Sequence, residues 1–325
     1  MTLTAEQLED RRSYLGASEA ADAIGLGKYR TPYQLWKIKT GQSEPEKPDK
    51  LMEAAYWGNM LEDTVAREFS RRTGMKVQQR KAPVHHADYA FALAHLDRII
   101  VGLPGNDKHL LQCKTSNQYL ASQWGPSGSD QVPDEYIIQE QHELACADYQ
   151  IAHLAVLIGG QQFRQYVIPR DDTLLEGIME REAEFWQHVV DRIAPEPTTL
   201  DDLLDLYPSD TGGTLLADPA LTDSWRQLVM AKESLKTLGE EAKIHEMALK
   251  CALQDHGTLV APDGAPLITW KQAKDSQIID WEAIARKFLD RMPGSDADEA
   301  ISAETRTKTG SRRFLVKQPT EAYHE

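Results

Sequence analysis

Apolar positions along the chain follow two rhythms, one of three to four residues and one of two, and the changes between them mark out its elements. Between Thr31 and Gly41 the helical rhythm is fully punctuated: Pro32 follows the Thr31 N-cap, Gln34 can close a capping box, and Gly41 is the stop. Ser18 precedes EAADAIG in the same manner and reads as the N-cap of a short helix that ends in a Gly-containing turn at 25–30. A longer helix is expected from about 51 to 73, closed by Gly74, with Arg71 and Arg72 in the last turn, where cations suit the helix dipole.

From 75 to 115 the rhythm shortens to two, and 75–84, 89–96 and 109–115 read as antiparallel strands. The polar stretch 122–131 is a loop, Pro133–Ala147 returns to helical spacing, and 151–169 reads as a hairpin turning at Gly159 and Gly160. A helix over about 171–193 completes this unit. The Pro- and Asp-rich stretch 194–213 reads as a linker or a loosely packed cover. Beyond it, Leu221, Trp225, Leu228, Leu235, Leu238, Ala242, Leu249 and Leu253 fall near one stripe of a helical run over about 218–255. Lys232 and Glu246 interrupt the stripe, which favours a long packed helix or helical hairpin over a coiled coil. TLVAPDGAPLITWK, a helix near 280–291 and RFLVK at 313–317 suggest a small β-containing module. The expected division is therefore a main domain over 1–195, a linker over 196–216 and a helical and β extension over 217–325.

Composition narrows the function classes. With 325 residues and 41% hydrophobic content, the chain suits one substantial domain plus a smaller one. Its longest apolar run, 151–160, is too short to span a bilayer, and MTLTAEQLEDRR has no apolar signal-peptide core, so a cytoplasmic protein with no membrane partner is expected. Three widely spaced cysteines suggest neither a disulfide framework nor a zinc or iron–sulfur site. A net charge of −15 excludes DNA binding by general basicity, so a nucleic-acid site would need local positive charge.

Candidate chemistry gathers in HLDRIIVGLPGNDKHLLQCKTS, residues 95–116. If its turn centres on Pro104 and Gly105, facing residues have numbers that add to 209, which sets Asp97 opposite Gln112. The two-residue period then puts Lys114 on the same face and sends Leu111 and Cys113 to the core. A carboxylate with a nearby amide suits a hard cation such as Mg²⁺, and a lysine there can orient water or stabilise charge on a phosphate. On the hairpin alone, the plainer reading of a strand ending in Asp with a solvated Lys takes precedence. His85, His86, His95 and His142 lack zinc spacing and read as ordinary residues.

The succession 11-RRSYLGASEAADAIGLGKYRTPYQLWKIKTG-41, 57-WGNMLEDTVAREF-69, 94-AHLDRII-100, 110-LLQCKTS-116 and 139-QEQHELA-145 resembles the YqaJ-type viral recombinase family of lambda-exonuclease-like nucleases. The resemblance covers about 11–193, and 261–272 with 311–317 is similar to a tail found in many members. It implies an α/β (α+β) chain with a PD-(D/E)XK restriction-endonuclease-like core, a mixed central sheet flanked by helices. It also implies Mg²⁺-dependent digestion of linear double-stranded DNA from 5′ ends, with Mn²⁺ able to substitute. The product would be a 3′ single strand for a partner annealing protein, and the enzyme a homo-oligomer, a ring-shaped trimer in the best-known relative.

By this resemblance Asp97 is the metal-binding aspartate, Lys114 the motif lysine, Glu62 the helix glutamate of W-G-x-x-x-E and Gln141 the glutamine of the later helix. The resemblance also implies the Cys113 carbonyl as a candidate further metal ligand, beside the residue-112 side chain. Ser18 and one of Arg11 or Arg12 match a pair that grips a terminal phosphate. Lys28 and Arg30, with Lys76, Arg80 and Lys81, are candidate phosphate contacts, although each singly is more often a solubilising charge.

Gln112 departs from the pattern, which has an acid there. The amide keeps the length and one acceptor oxygen but removes a negative charge, so a weakened or inactive enzyme is expected. A deliberate Glu→Gln substitution, a tolerated natural amide and a decayed descendant all account for it. Retention of Asp97, Lys114, Glu62 and Gln141 favours the first. The rival function is a non-catalytic DNA-end-binding recombination scaffold with Gln112 native. An iron–sulfur nuclease is rejected because four cysteines are lacking. The extension after about 215 would brace the core, form an oligomer contact or dock the annealing protein.

Overall fold

The computed structural model describes residues 11–44, 49–272, 281 and 286–288. The expected helix near 280–291, apart from those last residues, and the strand and tail segments at 311–317 lie outside the described residues. Two compact units divide between Tyr207 and Pro208.

In the first unit, β1 (Leu15–Gly16), α1 (Ala20–Ala23), α2 (Pro32–Lys39) and α3 (Asp49–Thr73) precede the strands. The capping box of α2 forms as the sequence requires: Gln34 N donates to Thr31 Oγ1 and Thr31 N donates to Gln34 Oε1, both at 3.2 Å. Ser18 is not a cap. It lies within a single 3-10 turn, Ala17–Glu19, and Glu19 is the N-cap of α1, with no side-chain cap bond.

Strands β2 (Lys76–Gln78), β5 (Arg98–Val101), β6 (His109–Ser116), β7 (Ile151–Ile158) and β8 (Gln162–Pro169) form one sheet in the order β2-β5-β6-β7-β8. Only β6 and β7 run parallel. The connection between them carries α4 (Asp134–Ala147), as a parallel pair demands. In the β5–β6 hairpin Arg98 faces Leu111, Ile99 faces Leu110 and Ile100 faces His109, which is the register expected from the sequence. Gly105, with φ of 72°, makes its turn, a conformation that favours glycine. The stretch 89–96 contributes not to this sheet but to β4 (Ala92–Ala94). That strand pairs with β1 and with β3 (Val84–His85) in a separate three-stranded sheet. The β1–β4 pairing brings the chain around Ser18 beside the chain approaching Asp97.

Alternation along β6 divides the core. Leu111 and Cys113 pack with Val65, Ala66 and Phe69 of α3, while Leu110 belongs to the opposite cluster, with Leu144 of α4 and Leu154, Val156 and Tyr166. Gln112 and Lys114 share the face of Leu110 and so turn towards α4. Helix α5 (Asp172–Asp191) backs α4. Buried His142 joins the two, its Nδ1 donating to both Glu182 oxygens at 2.9 Å and its Nε2 to the Leu93 carbonyl at 3.3 Å. Burial alone would lower the His142 pKa, but the Glu182 carboxylate outweighs it and holds the imidazole well above its usual range.

The first unit extends beyond the expected boundary at 195. Helix α6 (Leu200–Leu206) lies in the stretch read as a linker, and it is tied to α2. Thr31 Oγ1 donates to buried Asp202 at 3.0 Å, and the Tyr33 hydroxyl donates to Asp205 at 3.1 Å. The second unit contains α7 (Pro219–Leu253) and the antiparallel pair β9 (Thr258–Val260) and β10 (Pro266–Thr269). Helix α7 is a single helix in which only Val229 and Leu253 are buried, and Leu235 and Leu238 of the expected stripe are exposed. Among the described residues, no helix is long and apolar enough to cross a membrane.

Candidate active site

A cleft of about 460 Å³ opens where the β5–β6 hairpin, the turn after β1 and α4 meet. Asp97, Gln112 and Lys114 come from the hairpin, Arg11 and Ser18 from the N-terminal segment, and Gln139 and Glu143 from α4. Each arrives for a local reason. Asp97 ends the approach to β5, and its Oδ2 accepts from Cys113 N at 2.9 Å, which locks the carboxylate against β6. The period of β6 delivers Gln112 and Lys114 together. Gln139 and Glu143 stand four apart and so share one helix face.

A continuous polar chain joins the two walls. Lys114 Nζ donates to Gln139 Oε1 at 3.0 Å and lies 5.3 Å from the centre of the Tyr136 ring, while Gln139 Nε2 donates to Glu143 Oε1 at 2.8 Å. The Gln112 amide satisfies both its ends when its NH2 group turns to donate to Asp97 Oδ2 at 2.9 Å. Its oxygen then accepts from Gln139 Nε2 at 2.5 Å and from Lys114 Nζ at 3.2 Å. Burial pushes the Asp97 carboxyl up to about 6, with Lys114 and the Cys113 N–H opposing and Glu62 adding to the rise. Burial also pushes Glu143 up to about 7, against the Gln139 hydrogen bond and with the Asp97 charge adding. Glu140, between Gln139 and Gln141, is fully buried, and neither of its carboxylate oxygens has a hydrogen-bond partner among the described residues.

The N-terminal wall is held by a buried tether. Lys39 Nζ donates to the Arg11 carbonyl at 2.7 Å, the Tyr14 carbonyl at 2.6 Å and Glu19 Oε2 at 2.7 Å. Burial disfavours both charges of the Lys39–Glu19 pair. For Glu19 the lysine outweighs burial and holds its carboxyl below the usual range, whereas for Lys39 burial wins and draws the ammonium down. Three oxygens around Nζ make the charged pair the state consistent with the geometry.

Several expected site residues stand elsewhere. Gln141 turns away from the cleft: its Nε2 donates to the Pro169 carbonyl and its Oε1 accepts from Asp171 N, fastening α4 to the end of β8. The α4 glutamine that reaches the hairpin lysine is Gln139. Arg11 lines the cleft, whereas Arg12 pairs with Glu44 at 2.7 Å. Arg30 is bound to Asp22 at 2.7 Å, and Lys28 is exposed away from the cleft lining. Glu62 does not line the cleft; buried Arg98 holds it at 2.6 Å, although its charge reaches Asp97. Sequence reasoning overlooked Gln139, Glu143 and the Lys39 tether. The four-residue spacing of Gln139 and Glu143 was the available signal for the first two.

Among the described residues, no group of three His, Cys, Asp or Glu side chains could by itself hold a metal ion. The oxygens that face the cleft nevertheless suit a hard divalent ion. Asp97 Oδ1 and Glu143 Oε2 take no hydrogen bond among the described residues, so each carboxylate keeps one oxygen for another partner. Among the described lining residues the cations are Lys114 and Arg11, and the charges of Asp97 and Glu143 across from them would repel a phosphate. A divalent cation held by the carboxylates would remove that repulsion.

Fold and site together define an α/β protein with a mixed sheet between helices and a polar cleft at the end of its central hairpin. Residues 6–150 match the YqaJ-like viral recombinase domain. The uncharacterized protein YqaJ of Bacillus subtilis (strain 168) is 34% identical over 323 residues, spanning 96% of this chain and 94% of its own. The chain belongs to the YqaJ-like viral recombinase family. In structure it is similar to the alkaline exonuclease LHK-Exo from Laribacter hongkongensis, with a TM-score of 0.47, 22% identity, and 58% of this chain and 94% of that one covered. A phage related exonuclease from Haemophilus somnus 129PT aligns with a TM-score of 0.40 and 13% identity over 56% of this chain and 96% of that one.

Proposed function

We propose that the chain is a Mg²⁺-dependent exonuclease that digests linear duplex DNA from 5′ ends and leaves 3′ single strands for recombination. The observation that carries this reading is the meeting of Asp97 and Lys114 with Arg11 and Ser18 in one cleft. Membership of a viral recombinase family supports it. In this reading Arg11 and Ser18 receive the terminal phosphate, Arg11 as a charge-assisted donor and Ser18 through its hydroxyl. Lys114, steadied by Gln139, donates to the scissile phosphate or holds the attacking water. Asp97 and the Cys113 carbonyl would hold the ion, with Glu62 as a further carboxylate if Arg98 releases it. The bound ion would polarise the phosphate and make its water more acidic. Gln112 turns an N–H towards Asp97, which weakens the hairpin as a cation site and slows the enzyme relative to one with an acid there. The 3′ strand calls for an annealing protein as partner, and a trimeric ring would keep the enzyme on its substrate.

The test follows strand loss on 5′-phosphorylated linear duplex DNA, with and without Mg²⁺, for the chain as it stands, Gln112→Glu and Asp97→Asn. Digestion from 5′ ends that needs Mg²⁺, quickens with Gln112→Glu and vanishes with Asp97→Asn is expected. If neither the chain nor Gln112→Glu cuts while both retain DNA ends, the protein is an end-binding scaffold and the nuclease reading falls.

A further inference from the structure

The hairpin offers this cleft only one carboxylate, Asp97, because position 112 carries an amide, whose NH2 group turns to Asp97 when both its ends are satisfied. The opposite wall offers a second. Glu143 is 1% exposed yet lines the cleft, with one oxygen fixed by Gln139 and the other taking no hydrogen bond among the described residues. Asp97 has the same arrangement: Oδ2 is fixed by Cys113 N, and Oδ1 takes no hydrogen bond among the described residues. Two restrained carboxylates thus line one cleft, each with an oxygen that takes no hydrogen bond among the described residues, and Lys114 of the hairpin lines it with them.

Fully buried Glu140 has neither oxygen hydrogen-bonded among the described residues, and it interacts electrostatically with Glu143, Lys114 and Asp97. An acid at 143 thus returns to the cleft the negative charge that the amide at 112 leaves out.

We propose that Glu143 is a metal-ligating carboxylate of this cleft, serving from α4 the role that an acid at position 112 would serve from β6. Gln139 is then a positioning residue, aiming Glu143 with Nε2 and Lys114 with Oε1. The proposal rests on the nuclease reading of the cleft, and in it Glu143 makes up in part for the charge that Gln112 leaves out of the hairpin.

The experiment measures Mn²⁺ binding by electron paramagnetic resonance on the full chain, without DNA. Glu143→Gln keeps the shape and the acceptor for Gln139, and it should weaken Mn²⁺ binding by at least the ~10–100-fold that even an outer-shell partner is worth. Gln112→Glu combined with Glu143→Gln should restore affinity to within a few-fold. Unchanged affinity in Glu143→Gln, with binding lost in Asp97→Asn, overturns the proposal and leaves the nuclease reading intact. Failure of both the unaltered chain and Gln112→Glu to bind Mn²⁺ overturns the metal-dependent reading and this proposal together. Should Glu143→Gln not fold, Glu143→Asp decides: it keeps the charge but withdraws the carboxylate by one methylene, and undiminished affinity there overturns the assignment.

Discussion

Asp97→Asn should stabilise the metal-free protein, by an amount that depends on pH. Asp97 is pushed up to about 6 by burial, which Lys114 and the Cys113 N–H only partly offset. An ordinary aspartate titrates near 3.9, and each pH unit of displacement corresponds to about 1.36 kcal/mol, so its ionised form opposes folding by about 3 kcal/mol. A pKa raised on folding contributes stability below the unfolded value and loses it as pH rises through the folded one. The penalty therefore grows between about pH 4 and pH 6 and is constant above. Asparagine does not titrate, and its oxygen can take the place of Oδ2, which accepts from both Cys113 N and the Gln112 NH2 group, while its NH2 group replaces Oδ1 and adds an offset that pH does not change. Relative to Asp97→Asn, the unaltered protein should lose up to about 3 kcal/mol across that window, or about 6–12 °C in melting temperature for a unit of this size. Scanning calorimetry in EDTA from pH 4 to 7 reads the difference directly. A gap that stays constant over that range would refute the reasoning. Mg²⁺ at neutral pH should narrow the gap, because the ion binds the ionised carboxylate of the folded state.

Two further outcomes follow from the geometry. Arg11→Ala should slow digestion of 5′-phosphorylated ends by roughly 10–100-fold, the value of a charge-assisted hydrogen bond, whereas Arg12→Ala should change it little; equal losses would contradict the placement of Arg11 in the cleft. His142→Leu should cost about 3–5 kcal/mol in urea unfolding because it strands Glu182 without its partner, and a second change, Glu182→Leu, should recover much of that.

The central hairpin was legible because alternation of apolar and polar residues and a single glycine turn leave one register that buries Leu111 and Cys113. The capping box of α2 was legible for a similar reason: its signals are local. The glutamine of α4 was not. That helix is buried over Ile138–Cys146, so no polar face distinguishes Gln139 from Gln141, and the choice depends on which side of the sheet the crossover lies. Ser18 failed as a cap because the β1–β4 pairing leads into a 3-10 turn in which Glu19, bound by Lys39, takes the capping position. The segment read as a linker did carry a helix signal, Thr199 three residues before Asp202. The Thr199 hydroxyl accepts from Asp202 N at 3.2 Å, but prolines nearby and a run of aspartates masked it. Which of Arg11 and Arg12 enters the cleft is decided by the Lys39 tether, a contact 28 residues away in sequence that no local pattern announces.

Because α4 is both a wall of the cleft and the bridge between parallel strands, the site has a history in the growing chain. The hairpin residues are synthesised first, but α4 is secured only when β7 lies beside β6 and Glu182 has arrived to meet His142. Such distant pairings form late, since the loop must close before any contact repays its entropy. A nascent chain that ends before α5 therefore carries Asp97 and Lys114 without a finished cleft. Completion of the cleft and completion of the fold arrive together.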